Sequence, residues 1–322
     1  MSLRFVGRKI VGSILTLLVV LVFNFFLFRI VKSDPVGVLF RGKKIPPEVK
    51  ARLRHQFGLD KSKFDQFWLY MRQTLSGNLG SSYRTGQPVT HEIAGSIWPT
   101  VWLVGLSTIF STIIGLLLGI KSAWQRNSWF DRVSTGVSMF TYATPDFFLG
   151  ILLLAGFAFG LNLLPTGGIE NPGATAGGFG HLYDQAKHLL LPALTLTIGY
   201  MGEYMIVMRS SLLEVMSEDF LKVARARGLR DALVRRRHAV PNALLPTVTL
   251  VALNLGFVLS GAIAVETVYS WPGLGKATAD ALRGPDFPML QGLFLLFTSA
   301  VIVANLISDL LYGYLDPRVR VG

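Results

Sequence analysis

The stretch EDFLKVARARGLRDALVRRRHAVP, residues 218–241, carries seven Lys or Arg in twenty-four positions, with long apolar runs on both sides. It is too short and too charged to cross a bilayer, so it belongs at a membrane surface. The whole chain fits that setting. Of 322 residues, 51% are hydrophobic and only 16% are charged, whereas a soluble domain carries about 25% charge. With no cysteine, disulfides and thiolate metal sites are excluded. The net charge of +12 would suit nucleic acid or anionic lipid. Its concentration in short connections between apolar runs selects lipid.

Five apolar runs, residues 10–28, 101–120, 189–208, 243–265 and 289–312, have the length needed to cross a hydrocarbon core, which takes roughly 20 helical residues. A sixth, residues 133–164, is too long for one straight crossing. ATPDFF interrupts it, and Pro145 removes a helical hydrogen bond there. The sequence therefore predicts one kinked or tilted crossing from this run, and six spans in all. With the N-terminus in the cytosol, the inner connections hold sixteen Lys or Arg, against three in the two short outer loops, Lys187, Lys276 and Arg283. That asymmetry places both termini inside. The basic residues between positions 31 and 98 do not count against it, because loops longer than about 60 residues escape the rule. The first run ends in FRIVKSDP without a small-x-small cleavage site, so an uncleaved first span is expected rather than a signal peptide.

The organisation expected is a first helix with a long extracytoplasmic loop (1–97), a five-helix core (98–317) that includes the basic loop 209–242, and a short tail (318–322). Inside the outer loop, PPEVKARLRHQFGL and DQFWLYMRQTLSG read as two amphipathic helices ending at Gly58 and Gly77. The Gly-rich segment 165–180 reads as an outer loop. Gly115/Gly119 and Gly156/Gly160 are spaced for close helix approach, within this bundle or against a second chain.

The basic island reads as helix, Gly, helix. Ser217, Glu218 and Asp219 offer an N-cap and first-turn acids, Arg225 and Arg227 sit in the last turn, and Gly228 ends it. Phe220, Val223 and Ala224 are expected on one face. A second helix to about Val240 would carry Leu229, Ala232 and Leu233. Arg235, Arg236 and Arg237 serve equally well as an anchor to lipid phosphates. The small residues Ala224 and Ala226, the Gly break and the apolar face instead suit docking into a groove on another protein.

This arrangement resembles the cytosolic coupling loop of ABC importer permeases: Val223-Ala224, Gly228, then Pro241 thirteen positions later. Lys222 stands where an acidic residue often starts that motif. SDPV, FGLD, GNLGSSYRTGQPV, TPDFFLGILL, LLPTGG, HLLLPALTL, MRSSLLEVMSEDFLKVARARGL, PNALLPTVTL, SGAIAVETVYSWPGLG and DLLYGYLDPRVR, in order along nearly the whole chain, are similar to the oligopeptide/dipeptide/nickel group of these permeases. The resemblance implies an all-α integral membrane protein of the type I importer fold. It implies a second homologous permease, two cytosolic ABC ATPases and an external substrate-binding protein or lipoprotein as partners. ATPase coupling would fall on Phe220, Lys222, Val223, Ala224, Arg225, Ala226, Gly228, Leu229 and Pro241. The implied cargo is di- or oligopeptide, with nickel or another small solute as the alternative.

Charges inside a span cost roughly 2.5–3.5 kcal/mol at the helix centre, so they face protein or water. That makes Asp146, Glu203 and Asn254 candidates for the pathway, although Glu203 and Asn254 serve as well in helix contacts, and Asp309 as an ion-pair partner. Glu266 and Trp271 are candidates for an outer gate, since in the resembled family that loop dips back. Tyr269 and Trp271 would equally suit an interfacial aromatic belt. WPGLGKAT is no ATP site, because a P-loop needs Gly where Ser270 stands. His55, His91, His181, His188 and His238 are scattered without ligand spacing. No catalytic, cofactor or metal residues are therefore expected in this chain, ATP being held by its partners. An ion-coupled transporter would need paired polar breaks in two repeat halves, which six unequal runs do not offer. An intramembrane enzyme would need a nucleophile and base that are not found.

Overall fold

The computed structural model describes residues 3–31, 46–56, 60–173, 177–258 and 262–315. SDPV and the tail lie outside those residues, as do the side chain of Asp309 and the stretch 259–261 of the run 243–265. The helices are α1 (Leu3–Phe25, with a wide turn Phe26–Val31), α2 (Pro47–Gln56), α3 (Lys63–Leu75), α4 (Val89–Trp124), α5 (Trp129–Ala143), α6 (Asp146–Leu153, continuing as a wide coil Leu154–Gly160) and α7 (Gly178–Met216). They continue as α8 (Asp219–Ala226), α9 (Asp231–Val234), α10 (Val240–Ala243), α11 (Leu245–Phe257), α12 (Ile263–Val268), α13 (Leu274–Arg283) and α14 (Phe287–Leu315).

Among the described residues, four helical stretches are long and apolar enough to cross a membrane: Val6–Phe28, Val89–Trp124, Gly178–Met216 and Phe287–Ile307. The run 133–164 is bent far more sharply than a kink. Its two legs, α5 and α6 with its extension, meet at 103°. Thr144 is extended, and Pro145 leads into α6. The residue before a proline is pushed out of helical geometry, which makes a corner here. The run 243–265 appears as the thirteen-residue α11 and the six-residue α12.

Packing divides the chain into two units, one from Met1–Pro99 with Gly273–Gly322, the other from Thr100–Pro272. In the first, α1 lies along α14. Buried Asn24 donates from Nδ2 to the Gln291 carbonyl at 3.0 Å, and the Phe25 ring meets Phe67 of α3 edge to face and Tyr70 at a tilt. Both amphipathic helices expected in the outer loop are present, and Gly77 takes a positive φ after the second. GNLGSSYRTGQPV folds as a tight loop around buried Asp286. That carboxylate accepts from Ser82 Oγ, from Tyr83 N at 3.1 Å and Arg84 N at 3.3 Å, and it caps α14 through Met289 N at 3.3 Å.

In the second unit α7 is the shared wall: α5, α6, α10, α11 and α12 all pack on it. Gly115 and Gly119 of α4 also meet it. A Cβ added at either would lie 2.7–2.9 Å from α7 atoms, among them the Met201 and Met205 carbonyls. The small-residue spacing therefore serves packing inside this chain. Gly156 meets nothing within 4 Å, and Gly160 only the carbonyl of Ala155 in its own turn.

Candidate functional site

The basic island is anchored rather than loose. Ser217 ends α7, its Oγ donating to Glu214 O at 2.7 Å, and Glu218 occupies the N-cap of α8 without a side-chain bond. The inward face of α8 is Leu221 with Ala224, 0% and 6% exposed, packed against Ala123, Met208 and Leu212. Burying Leu221 stabilises the attachment by about 1.5–3 kcal/mol. This corrects the expected face. Ala224 sits at its edge, 40° round the helix from Phe220 in a 3.6-residue period, and the core takes it. Phe220 and Val223, 42% and 51% exposed, are left projecting.

Lys222 pairs with Asp219 at 2.7 Å on the exposed side, where Ala226 also lies. Gly228 has φ +78°, the left-handed turn expected of it. Beyond it the structure departs from a single second helix. Leu229 is half-buried against the cluster, but Ala232 is exposed. Four-residue α9 passes into a wide turn, Arg235–Ala239, and then α10, with Pro241 in its first turn. The wide turn closes with Val240 N–H on Arg235 O. Its longer period brings Val234 and Ala239, five apart, to the same side, and both are fully buried. In an α-helix they would point apart. Trp124 pins this loop: its indole donates to Asp231 Oδ2 at 3.1 Å, and Arg225 and Arg235 stand 5.9 and 5.7 Å from its ring. Arg225 Nε also donates to Asp231 Oδ1 at 3.3 Å.

A second constellation lies beside α7. Half-buried Asp146, the first residue of α6, rests against Gly199. Glu203 is one turn further along that face, and Asn254 Nδ2 donates to Tyr204 Oη at 3.0 Å. These three candidates thus gather around one short stretch of α7, with Asn254 in a helix–helix bond. Glu266 and Trp271 belong to another cluster, both buried. Thr100 Oγ1 donates to Glu266 Oε1 at 2.8 Å, and Trp271 N–H closes the turn on Glu266 O at 2.8 Å. Tyr269 is also buried. Its hydroxyl donates to Gly150 O of α6 at 3.0 Å and lies 2.9 Å from Thr195 Oγ1 of α7. Neither aromatic is available for an interfacial belt, because both are core residues of this unit.

Two residues that the sequence reading missed organise these regions. Asp131 ties the α4–α5 turn to α7 through Arg209, and Asp286 ties the loop 80–88 to α14. The signal available was Asp131 in the first turn of α5, with Ser128 capping that helix, and Asp286 immediately before the first residue of α14. No group of three or more His, Cys, Asp or Glu is placed to hold a metal among the described residues.

Long apolar helices, a surface loop locked onto the end of one of them and a broken helix pair define a multi-pass membrane protein. Residues 111–321 match the family described as binding-protein-dependent transport system inner membrane component, and residues 2–103 match the family described as the N-terminal part of such a membrane component. The chain belongs to this family of ABC importer permeases and resides in the bacterial cytoplasmic membrane. It is 36% identical over 318 residues to the glutathione transport system permease protein GsiC of Salmonella choleraesuis strain SC-B67 and of Salmonella typhi, covering 99% of each chain. Against the protein of that name from Escherichia coli K12 the identity is 35% over the same span. A solved structure of the MetNI methionine ABC transporter shares the fold, with a TM-score of 0.56 at 16% identity, covering 70% of this chain and 96% of that one.

Proposed function

We propose that this chain forms, with a second homologous permease, the translocation path of an ATP-driven importer for small peptides or peptide-like solutes. An external binding protein delivers the cargo, and two cytosolic ATPases drive transport by engaging residues 218–241. The observation that carries this reading is α8: one side is fixed in the chain's own core by Leu221 and Ala224, while Phe220 and Val223 are left unburied. A helix so held transmits a push on its free face into α7 and α4 instead of absorbing it.

Glutathione is itself a tripeptide, so the name carried by the relatives and the peptide group resembled by the motifs converge on one substrate class. In this reading the termini and the basic island face the cytosol, and the loop 31–98 faces outward. Hydrolysis belongs to the partners, and this chain contributes no catalytic group. Asp146, Glu203 and Asn254 supply polar surface along the path, with Glu266 and Trp271 in the outer gate.

The test is reconstitution of the permease pair, the ATPases and the receptor in proteoliposomes. ATP-dependent accumulation of glutathione or a dipeptide is expected, abolished when this chain is omitted. Accumulation without ATP, or from this chain alone under an ion gradient, would overturn the proposal.

A further inference from the structure

The first unit contains an open cleft of about 440 Å³ lined by residues of α3, the 78–83 loop and the start of α14. Small-molecule sites span about 300–1,000 Å³, and most are lined chiefly by apolar groups. Here four carboxamides, Gln66, Gln73, Asn78 and Gln291, line one space together with Tyr83 and exposed Lys61, beside the apolar Leu69, Leu79 and Leu295. Three of its walls are fixed. Gln66 Nε2 donates to Lys61 O at 2.9 Å, Asn78 Oδ1 accepts from Gly80 N at 3.0 Å, and Tyr83 N is held by Asp286 at 3.1 Å. Gln291 Nε2 is buried with no hydrogen-bond partner among the described residues. A buried donor left unmade costs about 1–3 kcal/mol, so a ligand acceptor would recover that penalty once the Gln291 side chain turned its amide into the cleft.

We propose that this cleft is a holding site for a short peptide or peptide-like acid. Carboxamides both donate and accept, as a peptide bond does, and therefore match it at each step. Lys61 supplies the charge for a carboxylate. The site deepens the transport reading above, in which this unit's loop faces the outside, and would hold cargo before it enters the path. A receptor loop or a lipid would instead call for a flatter, more apolar surface.

The experiment uses the full chain with its partner permease in lipid nanodiscs, without receptor. Titration with glutathione and with alanyl-alanine is expected to show saturable binding. A diazirine-bearing dipeptide is expected to label residues within 66–83 and 288–295. Gln291→Leu and Gln73→Leu should each weaken binding roughly tenfold, the loss of one well-made hydrogen bond. Gln73 is exposed, so its variant keeps the test alive if Gln291→Leu does not fold. Absence of saturable binding, label confined to other segments, or unchanged affinity in both variants would overturn the site. ATP-driven uptake without such binding would sink this inference and leave the transport reading standing. Binding at these residues without uptake would do the reverse.

Discussion

Arg209 grips Asp131 with two parallel hydrogen bonds, Nε to Oδ1 at 2.7 Å and Nη2 to Oδ2 at 2.9 Å. Asp131 is nearly fully buried at the start of α5 and also accepts from Ser122 Oγ and from Asn127 N at 2.9 Å. Its neighbours on α7, Met208 and Leu212, hold the basic island. One short segment of α7, little more than a turn, thus carries the island through apolar contact and the α4–α5 corner through an ion pair. In the proposed coupling, a displacement of the island would reach the broken helix pair through this joint.

Asp131→Asn should lower stability by about 3 kcal/mol, the low end for breaking a buried pair, because Arg209 keeps some access to solvent. Arg209→Lys should cost less but still abolish the two-pronged geometry. Thermal unfolding of the purified permease checks the first effect. If the pair is the joint, uptake falls in Arg209→Lys even at temperatures where the protein remains folded.

The free face of α8 gives a cleaner test of coupling. Phe220→Asp and Val223→Asp alter exposed positions, where substitutions usually change stability by no more than about 0.5 kcal/mol. Insertion and unfolding temperature should be unchanged while ATPase co-purification and uptake are lost. Ala224→Leu is the contrasting control. It overpacks a buried position, at about 1–3 kcal/mol, so it should destabilise as well as uncouple. Retained co-purification in both Asp variants would remove α8 from the ATPase interface.

Four of the six expected spans, the amphipathic pair in the outer loop and the Gly break at residue 228 were legible because each rests on local physics: apolar length, helical period and backbone freedom. The run 133–164 instead turns a 103° corner, and the run 243–265 appears as two short helices. What escaped was tertiary. The face of α8 could not be assigned from period alone, since Ala224 lies between two apolar arcs and only the neighbouring Ala123 and Leu212 decide which is buried. The Arg235–Ala239 turn looks α-helical in composition, and its wider period follows from pinning Val234 and Ala239 in the same core. Tyr269 and Trp271 have a belt's composition, yet α6 and α7 enclose them. The long-range partners of Asp131 and Asp286 were invisible, since Arg209 and Ser82 lie 78 and 204 positions away.

Gly115 and Gly119 are predicted to set the α4–α7 distance. Gly119→Val places a side chain against the Met205 carbonyl and Met208 Cβ, backbone and near-backbone atoms that cannot swing aside. Overpacking of this kind costs about 1–3 kcal/mol. Gly156→Val, which faces open space, should cost less. Comparing the two unfolding temperatures checks the assignment, and equal losses would refute it.

Glu266 separates packing from gating. It is fully buried and accepts from Thr100 Oγ1 at 2.8 Å. Thr100→Val leaves the carboxylate short of that donor and should cost about 1.5–3 kcal/mol, the range for hydrogen bonds to charged groups. Glu266→Gln keeps the shape and an acceptor for Thr100 but removes the charge. If Glu266 only fills space and holds its turn, Glu266→Gln unfolds within about 1 kcal/mol of wild type and transports normally. If its charge acts in the gate, stability is retained while ATP-driven uptake drops at least about tenfold, a change of 1.4 kcal/mol in the barrier. The gating role predicts the second result, and uptake assays alongside thermal unfolding of the same preparation distinguish the two.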